Sequence, residues 1–274
     1  TLKVLMIGAG NMGYTFAEGM AESPLLNNHK LMIHDRNAET LTRIEQTKRF
    51  KVCKNLTDGL PSADIVFLAV KPYHCEELFD MMREHVNDGQ LFVSMMAGVT
   101  IQSIQDMLGV DKVIRTMPNL PAKVGKGVTS YTESSSVTRV ESLMIRNLLD
   151  TTGVAIHVAN EDFIDKSTGI SGSGPAYVFY FMQSMLEAAL KMGFSDYDAK
   201  VLVTNTFEGA ITLFKESDLS PTTWMNRVAS KGGTTEAALT SMEDNNVKEL
   251  IKEAALAAFE RAVALGNESS YAKA

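Results

Sequence analysis

The sequence predicts an α/β domain built around a mostly parallel sheet, followed by a second domain made only of helices. Up to about residue 158, short aliphatic and β-branched runs alternate with amphipathic segments, which is the pattern of repeated βα units. Beyond that residue the strand signals stop, and segments of helical period continue to the end of the chain. The chain of 274 residues is therefore predicted to divide into domains at 1–158 and 159–274.

Eight short runs predict the strands of the first domain. Most are continuous and apolar, as expected for strands that helices cover on both faces. In chain order the runs are 2–7, 31–34, 50–52, 65–70, 91–95, 113–117, 128–131 and 154–158.

The second domain contains one unusually apolar helix. Its apolar residues recur at spacings of four, three and four from Val178 to Ala189, and the opposite face still carries Tyr180 and Phe181. Pro175 is suited to the first turn of this helix. A helix this apolar requires burial on several sides, so we expect a symmetric homodimer formed through the helical domain.

Composition and charge narrow the classes of function. A net charge of −7 without any cluster of Lys and Arg disfavours a nucleic-acid partner. Cys53 and Cys75 are the only cysteines, and neither a CxxC pair nor a histidine cluster is present. We therefore predict no disulfide framework, no metal site and a reducing cytoplasmic location. The longest apolar stretch, 175–182, is too short to cross a membrane.

A glycine-rich turn follows the first predicted strand directly. Its sequence, Gly8-Ala9-Gly10-Asn11-Met12-Gly13, is a GxGxxG that opens a helix. Glycines at this position allow a tight turn and a close approach of a pyrophosphate to backbone amides at the helix start. The first domain is therefore predicted to be a Rossmann-like dinucleotide-binding domain, in which the cofactor contacts Gly8, Gly10, Asn11, Met12 and Gly13.

Two charged residues at the end of the second strand bear on the choice of cofactor. Asp35 lies 22 residues after Gly13, near the offset expected for an acid that binds the adenosine ribose of NAD. Arg36 follows at once, and an arginine there can bind the 2′-phosphate of NADP. Alternatively, Asp35 is an ordinary N-cap for a helix at 38–47.

The fourth strand ends in Ala69-Val70-Lys71-Pro72. Lys71 is thereby predicted to lie at the carboxyl edge of the sheet, where ligands bind in open α/β folds. A lysine at the end of a strand is also a common solubilising residue, and the pattern alone does not separate these two interpretations.

With the glycine-rich turn, five segments resemble the pyrroline-5-carboxylate reductase family across essentially the whole chain. The most specific is Ser230-Lys231-Gly232-Gly233-Thr234-Thr235, which is similar to the family's Ser-Pro-Gly-Gly-Thr-Thr signature. The others are Ala69-Val70-Lys71-Pro72, Ala97-Gly98-Val99-Thr100, Arg115-Thr116-Met117-Pro118-Asn119-Leu120-Pro121 and Ser171-Gly172-Ser173-Gly174-Pro175-Ala176-Tyr177.

The resemblance implies reduction of L-1-pyrroline-5-carboxylate to L-proline, the last step of proline synthesis, in a cytoplasmic homo-oligomer built on a dimer. It implies NADP(H) as the favoured cofactor, with NAD(H) possible. It places Lys71, Ala97 and Asn119 near the nicotinamide end of the cofactor and adds Ala69, Val70 and Pro72 to the cofactor site. The catalytic residue is Thr235, with its hydroxyl near the ring nitrogen, and the implied substrate residues are Ser230, Gly232, Gly233, Thr234 and Thr235.

The chain departs from the family pattern at three positions. Lys231 stands where proline is usual, Leu120 stands where the usual motif is Asn-Thr-Pro, and Met96 replaces a customary alanine. These changes concern substrate affinity and cofactor preference more than the class of reaction. An additional cation at Lys231 is expected to strengthen the binding of an anion.

The chemistry of the implied reaction agrees with these residues. Gly232 and Gly233 leave backbone amides free, and Thr234 and Thr235 begin a helix, so the segment can hold a carboxylate. The alternative is a plain helix start capped by threonine. A protonated imine needs positioning and one weak donor rather than a strong acid. Accordingly, no catalytic triad or metal spacing is expected among His29, His34, His74, His85 and His157.

Some alternatives stay open at the level of sequence. Glu216 and Asp218 precede Pro221, where they either lie near the substrate amine or are simply solvated. A related imine reductase or a β-hydroxyacid dehydrogenase would keep the fold. The latter requires a lysine in the first long helix of the second domain, where only Lys191 is available, at the far end. A dinucleotide sensor without catalysis is the remaining alternative, and the intact Gly-Gly-Thr-Thr segment argues against it.

Overall fold

A computed structural model describes residues 2–26 and 30–268. Its eight strands form one sheet, and each predicted run overlaps one of them, with ends within two residues of the prediction. The strands are β1 (Val4–Ile7), β2 (Met32–His34), β3 (Lys51–Val52), β4 (Ile65–Leu68), β5 (Leu91–Ser94), β6 (Val113–Met117), β7 (Gly127–Glu133) and β8 (Gly153–His157).

The strand order is β3-β2-β1-β4-β5-β6-β7-β8. All neighbours are parallel except β6 and β7, which run antiparallel. The order reverses direction between β1 and β4, and a reversal of this kind opens a crevice at the carboxyl ends of the strands. The prediction of a mostly parallel α/β sheet is confirmed.

The central strands are buried because apolar side chains pack on both faces of the sheet. One cluster includes Phe16 and Phe67, and the other includes Phe79 and Phe92. All four rings are fully buried. The edge strand β8 differs from the prediction for strands covered on both faces, because its side chains are mostly exposed.

Eleven α-helices are present in the described residues. Six accompany the sheet up to residue 167, and the later ones continue without any strand, as predicted. They are α1 (Asn11–Ala21), α2 (Ala38–Gln46), α3 (Cys75–Met82), α4 (Ile101–Leu108), α5 (Arg139–Leu149), α6 (Glu161–Ser167), α7 (Gly174–Lys191), α8 (Asp196–Lys215), α9 (Pro221–Val228), α10 (Thr234–Asp244) and α11 (Val247–Glu268).

The chain forms two compact units, and the first extends further than the predicted domain boundary at residue 158. It comprises the described residues up to Ser173 and those from Ala257 onwards. Helix α6 stays with the sheet because Arg115 on β6, only 2% exposed, pairs with Glu161 at 3.2 Å and with Asp165 at 2.8 Å. The assignment of a separate role to each part of the chain stays a prediction.

The second unit, Gly174–Leu256, consists of helices whose apolar side chains are largely exposed in the single chain. In α7, Ala189 is buried, whereas Val178, Tyr180 and Phe181 are exposed. Pro175 lies in the first turn of α7, as predicted. This unpartnered apolar surface is what the prediction of a dimer requires.

No helix in the described residues has the length and apolar character needed to cross a membrane. No three His, Cys, Asp or Glu side chains within the same ranges converge on a point where a metal ion could bind. Cys53 and Cys75 are buried thiols, and burial raises the pKa of Cys53, which disfavours the reactive thiolate. His29 lies outside the described residues.

Candidate functional site

The turn between β1 and α1 requires glycine at its first and last positions. Gly8 has a φ of +97°, and a Cβ there would lie 2.5 Å from the carbonyl oxygen of Ala69. A Cβ on Gly13 would lie 2.0 Å from the carbonyl oxygen of Gly8. The two glycines therefore allow α1 to pack closely against the ends of β1 and β4.

Gly10 has a different role, because nothing in the structure fills the space beside it. It is the N-cap of α1, no side chain caps the helix, and a Cβ on Gly10 would meet no atom within 4 Å. The first turn of α1 contains no acidic residue. In front of it lies a cavity of about 720 Å³, lined by Gly10 and Asn11 among others. An open helix start of this kind fits the pyrophosphate of a dinucleotide.

Asp35 holds this turn in place. Its Oδ2 accepts a hydrogen bond from the Ala9 amide at 2.8 Å, and its Oδ1 accepts one from the Asn37 amide at 2.8 Å. The N-cap of α2 is Asn37, whose Oδ1 accepts from the amides of Glu39 and Thr40. The alternative that Asp35 caps this helix is therefore wrong. Asp35 keeps unused lone pairs for a ribose hydroxyl, because each carboxylate oxygen can accept two hydrogen bonds.

A second cavity, of about 260 Å³, lies at the carboxyl ends of β1, β2 and β4. Its lining includes Asp35, Arg36, Lys71 and His74. In this fold the residues after β2 face the adenosine ribose, so this second cavity is called the ribose cavity. Lys71 lines the same cavity as Arg36, and its expected position near the nicotinamide end stays a prediction. Ala69 and Val70 also line this cavity, and Pro72 begins the short 3₁₀ turn that follows.

The segments after β5 and β6 carry the other predicted cofactor residues. Ala97 is exposed in a turn, and the neighbouring Met96 is buried, so the departure at Met96 affects packing rather than the exposed surface. The amide group of Asn119 is used within the protein. Its Nδ2 donates to the carbonyl oxygen of Ser171 at 3.1 Å, and its Oδ1 accepts from the Val128 amide at 2.9 Å. Asn119 thus fixes the chain around the turn after β6.

In the second unit, the loop before α10 forms the candidate substrate cradle, residues 230–235. Gly232 has a φ of +73°, which favours glycine, and a Cβ on Gly233 would lie 2.5 Å from Ser230 Oγ, so a larger residue there would displace the serine side chain. The N-cap is Gly233, and no side chain caps the helix. The alternative in which threonine caps this helix is therefore wrong, and the hydroxyls of Thr234 and Thr235 are not used for capping.

The cradle already accommodates a carboxylate of the chain itself. Glu236 Oε2 accepts a hydrogen bond from the Gly232 amide at 3.3 Å. The Gly233 amide donates to the Ser230 carbonyl oxygen at 2.9 Å. The expectation that Gly232 and Gly233 leave their amides free is therefore wrong, because both amides bond within the loop, and the role of the loop in holding a substrate carboxylate stays a prediction. Lys231 is exposed beside it, and its expected effect on anion binding stays a prediction.

Thr235 stands at the boundary between this loop and an apolar groove of about 500 Å³. Trp224, Leu239 and Phe207 contribute to the groove. The groove suits an apolar ring bound by a polar group at one end. Glu216 and Asp218 lie in the link between α8 and α9, as the sequence indicated, and neither lines the groove.

Two residues of the nucleotide half were missed by sequence reasoning. Asn37 caps α2, and a residue of the N-cap type directly before the predicted helix was a signal for it. His74 hydrogen-bonds Arg36 across 38 positions of sequence, and no local pattern reveals such a contact.

The comparisons with known proteins cover both halves of the chain. The family described as "Pyrroline-5-carboxylate reductase dimerisation" matches residues 161–265. The family described as "NADP oxidoreductase coenzyme F420-dependent" matches residues 3–98. The second match coincides with the strands and turns that form the nucleotide site.

Full-length relatives carry one consistent description. Pyrroline-5-carboxylate reductase 2 of Bacillus subtilis is 34% identical over 251 residues, which are 91% of this chain and 90% of the relative. A pyrroline-5-carboxylate reductase structure from Coxiella burnetii has a TM-score of 0.84 at 32% identity, covering 96% of this chain and 97% of that one. The Plasmodium falciparum pyrroline carboxylate reductase structure, solved with NADP bound, has a TM-score of 0.84 at 27% identity, covering 97% and 98%. The chain belongs to the pyrroline-5-carboxylate reductase family.

Proposed function

We propose that the chain catalyses the NAD(P)H-dependent reduction of the carbon–nitrogen double bond of L-1-pyrroline-5-carboxylate, giving L-proline. One observation carries the proposal beyond family membership. Both predicted anion sites, at α1 and at α10, are helix starts capped by a glycine and by no side chain. Such starts can receive a pyrophosphate and a carboxylate, the two anionic groups that this reaction brings together.

A bound dinucleotide would supply the hydride that the imine carbon accepts. The protein would bind both reactants and orient them. Gly10 and the first amides of α1 would hold the pyrophosphate, and Asp35 holds the turn itself. NADP(H) is the favoured cofactor because Arg36 and Lys71 line the ribose cavity, and NAD(H) remains compatible through Asp35.

On the substrate side, the first amides of α10, from Thr234 onwards, hold the ring carboxylate, with Ser230, Gly232 and Gly233 shaping the cradle. The Thr235 hydroxyl accepts a hydrogen bond from the protonated ring nitrogen, which orients the imine carbon. Addition of hydride neutralises the positive charge of the imine, so the step requires no strong acid. The apolar groove beside Thr235 excludes water from the ring.

The active form is a homodimer through the helical unit. The exposed apolar residues of α7 and the match of residues 161–265 to a dimerisation family support this assembly. Higher oligomers built from this dimer are compatible with the same surface. The location is the reducing cytoplasm, in agreement with two buried thiols.

The test is a spectrophotometric assay that supplies pyrroline-5-carboxylate with NADPH and with NADH separately. We expect cofactor oxidation that depends on the imine, faster with NADPH. Absence of turnover with both dinucleotides would reject the proposed reaction. A sensor without catalysis predicts binding without turnover. A β-hydroxyacid dehydrogenase predicts turnover of hydroxyacids, and the position of Lys191 in the last turn of α7 disfavours it.

A further inference from the structure

At the ribose cavity, two side chains from separate segments are joined by a hydrogen bond. Arg36 Nη1 lies 2.9 Å from His74 Nδ1. Arg36 follows β2, whereas His74 belongs to the 3₁₀ turn before α3, and both line the cavity. His74 is half-buried, and its ring also packs against Tyr73, with ring centroids 4.3 Å apart. The histidine is therefore held in place, and it holds the guanidinium over the cavity.

The chemistry of the pair defines its protonation. A guanidinium has only donors, so His74 Nδ1 must be the acceptor and carry no proton in this arrangement. A protonated His74 would present a donor to another donor, and the hydrogen bond would break. The pair therefore has two states: a neutral histidine that positions Arg36, and a charged histidine that is free to bind an anion together with it.

A 2′-phosphate in the cavity would stabilise the second state. It carries between one and two negative charges near neutral pH and offers three acceptor oxygens, which both side chains can approach as donors. A 2′-hydroxyl carries no charge and leaves the first state in place. The other charged or titratable groups around His74 are Lys71 on the same segment, His34 and Asp35 at the end of β2, and Glu77 on α3.

We propose that His74 is a specificity-determining residue that positions Arg36 and becomes the second cationic partner of the cofactor's 2′-phosphate. The inference deepens the proposed function at the cofactor end and is independent of which imine is reduced. It distinguishes NADP(H) from NAD(H) by a histidine that takes up a proton only when the phosphate binds.

The test measures NADP⁺ and NAD⁺ binding to the full chain by titration calorimetry, in buffers of different ionisation enthalpy. His74→Ala is expected to weaken NADP⁺ binding roughly tenfold while leaving NAD⁺ binding within about twofold, because only the phosphate uses the pair. His74→Asn retains an acceptor for Arg36 but cannot be protonated. The His74→Asn protein should bind NADP⁺ more tightly than the His74→Ala protein does. It should also take up fewer protons on binding NADP⁺ than the wild type.

The 2′-phosphate itself titrates near pH ~6 and releases protons on entering a cationic site, which is opposite in sign to uptake by histidine. The comparison with His74→Asn cancels that contribution. His157→Asn is the matched control, because His157 bonds Glu133 on β7, a strand three places from β4, and should alter neither affinity nor proton count.

An unchanged ratio of NADP⁺ to NAD⁺ affinity in His74→Ala would overturn the inference, as would equal proton counts in the wild type and His74→Asn. Either result would leave the reductase proposal intact, provided that the wild type still oxidises NADPH with the imine. Failure of the wild type to bind either dinucleotide would overturn the inference and the proposed function together.

Discussion

At the scale of single residues, the three glycines of the first turn have separable roles. Gly13 and Gly8 serve packing, because a Cβ on either would overlap backbone atoms, whereas Gly10 faces open space. A helix start with a free face can bind an anion only while that face stays free. The distinction leads to opposite expectations for substitutions three residues apart.

Gly10→Ala should fold normally and lose affinity for dinucleotides. The φ of −68° at Gly10 suits alanine, but the added methyl group occupies the approach of the pyrophosphate. We expect the Kd for NADP⁺, measured by calorimetry, to rise by at least about tenfold with little change in melting temperature. Gly13→Ala is the comparison, and it should lower the melting temperature. A Gly10→Ala protein that binds NADP⁺ as the wild type does would contradict the assignment.

Thr235→Ala should impair turnover without affecting the cofactor. Loss of one hydrogen bond to the ring nitrogen is expected to lower kcat/KM roughly ten- to a hundredfold. Binding of NADP⁺ should stay unchanged, because α10 does not contribute to the cavities around the glycine-rich turn. Thr240→Ala, an exposed threonine on the same helix, is the control. Equal kcat/KM in the two variants would remove Thr235 from the mechanism.

At the scale of elements, the start of α5 is stabilised by an ion pair combined with a capping box. Thr138 Oγ1 accepts from the Glu141 amide, and Glu141 Oε2 accepts from the Thr138 amide. Lys112 Nζ contacts Glu141 Oε1 at 2.6 Å. Burial alone would raise the pKa of Glu141, but the hydrogen bonds from Lys112 and Thr138 outweigh it and lower this pKa below its ordinary value of 4.5.

The lowered pKa gives a stability difference with a defined pH window. At pH values above 4.5, the ordinary pKa of glutamate, the ionised carboxylate of Glu141 stabilises the folded state. This stabilisation is lost as the pH falls through the lower pKa that Glu141 has in the folded protein. Glu141→Gln should therefore reduce the free energy of unfolding by roughly 1 kcal/mol near neutral pH and by much less near pH ~3, measured by urea denaturation. An equal loss of unfolding free energy at both pH values would mean that the charge of Glu141 does not contribute to stability.

The sequence predicts some structural elements better than others. The eight strands were predictable because most of their residues are continuous apolar runs, and burial on both faces selects such runs. The end of the first compact unit could not be predicted in this way. Helix α6 joins the sheet because Arg115 pairs with Glu161 and Asp165, which lie 46 and 50 residues further along the chain. The same distinction holds for the candidate site. The glycine patterns are local and could be recognised in the sequence, whereas the contact between Arg36 and His74 forms only in the tertiary structure.

At the scale of the whole molecule, the exposed apolar surface of the helical unit requires a partner. Tyr180 on α7 is 76% exposed in the single chain, among other exposed apolar residues of the same helix. Light scattering of the wild type should give twice the mass of one chain or a multiple of that. Tyr180→Glu should shift the protein toward monomers, because it places a charge in the contact.

The control for this experiment is Val140→Glu on α5, a residue that is also 76% exposed but lies outside the helical unit. It should leave the mass unchanged. A monomeric wild type would contradict the dimer, and a Tyr180→Glu protein with the wild-type mass would exclude this surface from the interface.

The most direct test of the central claim follows the transferred hydrogen itself. The enzyme is incubated with L-1-pyrroline-5-carboxylate and NADPH that carries deuterium at the transferable position of its nicotinamide, and the product is analysed by mass spectrometry and NMR. We predict L-proline with one deuterium on the ring carbon that had been double-bonded to nitrogen. Unlabelled proline, or no proline while NADPH remains intact, would contradict the account.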